Sequence, residues 1–115
     1  MPKYFFRASY TTDGIRGLLM DGGTKRREVV EQVATSAGGS IESFYYAFGK
    51  DDVIVIAEAP DDASAAAISL VVGASGSVDL QTTVLIPPET MDKASQKAVE
   101  YTPPGRDQYR DQKRV

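Results

Sequence analysis

Arg7, Tyr10, Arg16, Tyr45, Tyr46 and Lys50 are the polar and amphipathic side chains that the order of elements brings near one sheet and its turns. Aromatic rings supply apolar walls and a few cations fix orientation, so a pocket built from this set suits a small anionic or aromatic ligand. The structural reading of the same tyrosines is that they are core and interface residues whose hydroxyls reach the surface. Asp51-Asp52 beside Lys50 has the composition of a metal site or an acid–base pair. Adjacent carboxylates on a turn are more simply solvated, with Asp52 bonding the amides of its own turn. Neither this pair nor Asp61-Asp62 has the alternating oxygen ligands of a calcium loop. Gly22-Gly23-Thr24-Lys25 resembles a phosphate loop only superficially, because the full spacing is absent and no strand directly precedes it.

Composition narrows the chemistry further. The 115 residues include no cysteine and no histidine. Thiolate nucleophiles, disulfides, thiolate metal sites and imidazole ligands or bases are thereby excluded. Acid–base catalysis would need a shifted carboxylate, lysine or tyrosine. No cofactor and no metal is expected. A net charge of −3 argues against a nucleic-acid binder. Arg7 interrupts the N-terminal aromatic run before a signal-peptide core forms, and no apolar run approaches a membrane span, so a cytoplasmic protein is expected.

The elements that must position these groups follow from periodicity. Residues 4–10 alternate as a strand, with Tyr4, Phe6, Ala8 and Tyr10 on one face and Phe5, Arg7 and Ser9 on the other. Thr12 or Asp13 caps a short helical turn through Ile15, Leu18 and Leu19. From Thr24 the spacing becomes helical, with Val29, Val30, Val33, Ala34 and Ala37 as the apolar stripe and Gly38-Gly39 as the stop. Lys25, Arg26 and Arg27 in its first turn read as a solvated basic face, or as a contact for an anion. Residues 41–48 and 53–57 are aromatic-rich and β-branched strands around the turn Gly49-Lys50-Asp51-Asp52, a hairpin. Asp61 or Asp62 then caps a helix whose buried stripe is Ala63, Ala66, Ala67, Leu70 and Val71, and residues 78–86 alternate as a last strand. This order predicts an α+β, ferredoxin-like βαββαβ domain: a four-stranded antiparallel sheet with two helices on one face. The domain spans residues 1–87. Residues 88–115 form a short helix and a polar tail, in which Tyr101 and Tyr109 could anchor on a neighbouring surface.

The hairpin also carries a likeness. Gly49, Asp51 and Asp52, preceded by Tyr46 and followed by Val53-Ile54-Val55-Ile56 and Glu58-Ala59-Pro60-Asp61, resemble the signature of the GYD domain family, with the family's tyrosine replaced here by Asp51. The resemblance reaches upstream to Thr12-Asp13-Gly14-Ile15 and Gly38-Gly39, downstream to residues 80–83, and covers roughly residues 3–86. It implies a ferredoxin-like domain related in shape to the dimeric α/β barrels.

Two helices cover only one face of such a sheet, yet the other face is not cleanly polar. Strict alternation puts Phe44, Tyr46 and Phe48 on one side of the second strand and Ile41, Tyr45 and Ala47 on the other, and the third strand is apolar on both. The expectation is a homo-oligomer in which two sheets pack face to face, with Tyr46 in the interface. The function expected is a self-associating module that binds a small molecule or regulates a partner without its own cofactor. Its rivals are a cofactor-independent enzyme of the dimeric α/β barrel type, monooxygenase or isomerase-like, and an assembly protein whose tail clamps a neighbour. Nucleic acid and membrane are not expected partners.

Overall fold

The computed structural model describes residues 1–105. Four strands, β1 (Lys3–Tyr10), β2 (Ser40–Tyr46), β3 (Val53–Glu58) and β4 (Val78–Leu85), form one sheet in the order β2-β3-β1-β4. Every pairing is antiparallel. The helices are α1 (Thr12–Asp21), α2 (Gly23–Ser36), α3 (Asp62–Ala74) and α4 (Pro88–Ser95). The strand order, with α2 and α3 on one face of the sheet, is that of a ferredoxin-like fold, as the sequence predicts. No helix among the described residues is long and apolar enough to cross a membrane.

The alternation read in β1 and β3 decides which face is the core. Tyr4, Phe6 and Ala8 from β1 and Val53, Val55 and Ala57 from β3 are buried beneath the helices. Their in-between neighbours Phe5, Arg7, Ile54 and Ile56 are half-exposed on the opposite, open face. Cross-strand registry places Phe6 beside Val55, so the two central strands share one apolar layer.

Four local expectations change. The short turn after β1 is a ten-residue helix, α1, capped by Thr11 rather than by Thr12 or Asp13; the Thr11 hydroxyl accepts from the Gly14 amide at 3.3 Å. Strict alternation fails in β2, where the registry slips between Ile41 and Ser43 and leaves Glu42 as an extra residue. Ile41 therefore joins Phe44 on the core side instead of Tyr45 on the open side. Asp52 bonds not its own turn but the Tyr10 amide across the strand pair, at 2.8 Å. In α3, Ala65 is buried while Ile68, Ser69 and Val72 are half-buried, whereas Ala63, Ala66, Ala67, Leu70 and Val71, the stripe read as buried, face outward.

The two Asp residues opening α3 divide the work. Asp61 is the cap, accepting from the Ser64 amide at 2.8 Å. Asp62 accepts the hydroxyl of Tyr4 at 2.7 Å, tying the central strand to the first turn of the helix. The bond to Asp62, then burial and the Asp62 charge, push the Tyr4 phenol up to about 12. In the unfolded chain a tyrosine loses its proton near pH ~10. The folded state thus holds this proton more tightly, and the resulting stability is complete below pH ~10 and lost as pH rises from there towards 12. Urea midpoints measured from pH 9 upward should fall across that window. The fall should be shallower in Tyr4→Phe; an unchanged slope would remove Tyr4 as its source.

Candidate functional site

Helices α2 and α3 stand apart over the middle of the sheet, leaving between them a cavity of about 300 Å³. Its floor is Phe6, Val55 and Leu80, and its walls are Val30 and Val33 of α2 and Val72 of α3. Polar groups gather at one end: Tyr10 at the close of β1, Arg26 in the first turn of α2, and Ser75 and Ser77 between α3 and β4. An apolar chamber with a few convergent polar groups is the usual form of a small-molecule site.

The polar end is ordered by backbone as much as by side chains. The Tyr10 amide donates to the Asp52 carboxylate, the Asp52 amide donates to the Ala8 carbonyl at 2.8 Å, and the Ser9 hydroxyl donates to the Lys50 carbonyl at 2.8 Å. The hairpin turn is in this way moored to the end of β1. Tyr46, on the same side of the sheet as Tyr10, donates its hydroxyl to the Gly23 carbonyl at 2.8 Å at the start of α2. Its ring meets that of Phe44 edge-on, with centroids 5.2 Å apart.

Burial raises the pKa of Tyr10 above its ordinary value, and the neighbouring Tyr46 adds to the shift against the lowering effect of Arg26. Burial likewise raises that of Tyr46, although its bond with Tyr10 and the charges of Arg26 and Arg27 work the other way. Both phenols are therefore neutral at physiological pH, Tyr46 with its proton on the Gly23 carbonyl, while among the described residues Arg26 is the one cation on the cavity wall. The guanidinium lies 3.6 Å from Asp21, which shares its charge without enclosing it. The arrangement can hold an apolar body and neutralise one acceptor or anionic group.

The six side chains expected to converge do not form one site. Tyr10 lines the polar end of the cavity, and Tyr46 stands beside it on the helix side but outside the lining, its hydroxyl on the Gly23 carbonyl. Arg7 and Tyr45 lie on the opposite, open face, where Arg7 donates to the Gln81 side chain at 2.5 Å and stacks 5.8 Å from the Phe5 ring centre. Arg16 sits on the exposed side of α1 beside Asp13, and Lys50 stands in the hairpin turn. Tyr46 belongs to the helix side and not to the sheet interface in which alternation had placed it. Arg26 is the group that pattern reading leaves on a solvated face. Of its two neighbours, Lys25 pairs with Asp21 at 3.7 Å and Arg27 with Glu31 at 3.3 Å. Among the described residues no group of three or more carboxylates is placed to hold a metal ion.

Fold and cavity together define a ferredoxin-like α+β domain with a ligand-sized chamber between its helices and its sheet. The family model for the GYD domain matches residues 4–95, and the chain belongs to that family. The match runs through α4. No curated protein and no solved structure was found to match the chain.

Proposed function

We propose that this GYD-domain protein is a small-molecule-binding module that associates with copies of itself through its open sheet face. The cavity between α2 and α3 carries the binding half of this reading, because among the described residues it pairs apolar walls with one cation, Arg26, and one neutral phenol, Tyr10, at one end. The ligand class that suits it has an apolar or aromatic body and one anionic or hydrogen-bond-accepting group. Chemistry on that ligand finds little support in the cavity. Its ionisable side chains are Tyr10, held protonated, and Arg26, and a guanidinium does not release its proton in proteins.

Self-association is supported by the face opposite the cavity. Phe5, Ile54, Ile56 and Tyr45 form an apolar surface there, and Tyr45 is 69% exposed.

A fluorescence titration with anilinonaphthalene sulfonate, an aromatic body bearing one anion, tests the cavity. Binding should saturate at one probe per chain and be abolished in Val30→Trp, which fills the chamber. Arg26→Gln should weaken it about tenfold, the loss of one charge-assisted contact of about 1.4 kcal/mol. Equal binding by Val30→Trp would place the probe on an exposed apolar surface outside the cavity and remove the cavity as the site.

A further inference from the structure

The open sheet face is not the only apolar surface left uncovered. From Ala63 to Ala74 helix α3 has no charged residue. Its outward side presents Ala63, Ala66, Ala67, Leu70 and Val71, with Leu70 74% and Val71 70% exposed. A helix apolar on all sides is ordinarily covered on all sides. The sequence pattern itself makes this stripe the natural one to bury, and the sheet takes the other side of the helix instead.

The same chain contains an element with the opposite deficit. Every residue from 86 to 102 is exposed, and α4 buries none of its own residues. Met91 is 56%, Val99 80% and Tyr101 74% exposed. This arm leaves β4 through Pro87-Pro88. Pro87 holds an extended backbone, φ −74° and ψ 163°, and Pro88 takes the first position of α4. Two consecutive prolines make a stiff exit that points the helix away from its own domain. The radius of gyration is accordingly 20.1 Å, against about 13 Å for a compact chain of this length.

We infer that the arm beginning at Pro87 docks on the outward face of α3 in a second copy of the chain, Met91 and its neighbours covering Leu70 and Val71. Each chain owns one arm and one such face, so a reciprocal exchange satisfies both in a pair, in the manner of a swapped element. The alanines of α3 form a shallow surface that lets a second helix approach closely. At eight residues α4 is about 12 Å long and fits within the thirteen residues of α3. Val71 also lines the cavity, so an arm covering it would border the cavity on its α3 side. The contact is independent of the open sheet face, since α3 lies on the other side of the sheet.

The absence of cysteine makes the test clean. Full-length Met91→Cys and Leu70→Cys proteins, both altered at exposed positions, are mixed and treated with a short bis-maleimide. A two-chain product that needs both variants in the mixture is the expected result. Three results would overturn the inference: no two-chain product from the mixture, a product of equal yield from Leu70→Cys alone, which would mean α3 pairs with α3, or cross-linking only within single chains of the double variant, which would mean the arm folds onto its own domain.

Discussion

Gly39→Ala should be among the most damaging single-methyl changes in this protein, lowering its stability by about 3 kcal/mol or more. A side-chain carbon at this position would stand 1.9 Å from the Glu58 carbonyl oxygen, 2.9 Å from its carbon and 3.1 Å from the Ala59 Cα. All three atoms are backbone, held by the pairing of Ser40 with Glu58, so none can rotate away. Gly39 also donates its amide to the Ala34 carbonyl at 2.9 Å, closing α2. Relieving the clash would pull the chain off β3 and break that closure together. Thermal unfolding should fall by roughly 10 °C or more. Gly17→Ala is the control, because nothing lies within 4 Å of the added carbon and the residue is inside α1. It should raise stability by about 1 kcal/mol, the helix preference for alanine. If Gly39→Ala were as stable as Gly17→Ala, the close approach of the α2–β2 junction to β3 would be wrong.

The second large effect is expected from Ile54→Glu. Ile54 lies on β3 on the open face, beside Arg7 in the cross-strand registry, and its side chain takes no part in the buried core. In the isolated chain a glutamate there would face water. In a sheet-to-sheet pair it would be trapped against apolar side chains, twice per pair. The two buried carboxylates of a pair, each beside an Arg7, should together cost about 4 kcal/mol, a thousand-fold in the dissociation constant. Light scattering should show the mass falling by at least half while circular dichroism stays that of the parent. Tyr46→Glu, which simple alternation would favour for the same experiment, tests something else, because Tyr46 belongs to the cavity side and donates to Gly23. A parent that is already a single chain, or an unchanged mass in the variant, would remove the open face as an interface.

The fold was legible because its signals are local. Alternation in β1 and β3, turn residues at the hairpin and glycines after α2 each report on their own neighbourhood, and the element order does the rest. The faces of β2 were not legible, since one extra residue at Glu42 reverses the alternation upstream of it and nothing in the residue types marks it. In α3 nearly every residue is small or apolar, so periodicity offered no contrast by which to choose the inward side, and the stripe chosen was the outward one. The candidate site was legible only in part. Tyr10 could be placed, because β1 alternates cleanly and ends there. Arg26 could not, because its position on the cavity wall depends on how far α2 and α3 stand apart, a distance between elements that no local pattern encodes.

Asp51 and Asp52 are neighbours in the chain, yet they serve opposite sides of the sheet. Asp51 lies 3.9 Å from the Arg7 guanidinium on the open face, while Asp52 accepts from the Tyr10 amide at the cavity end. The hairpin turn thus touches both surfaces, one through each carboxylate. If the cavity takes a ligand and the open face takes a second copy, then by thermodynamic reciprocity whatever the ligand would do to the pairing of chains, the pairing would do equally to the affinity for the ligand.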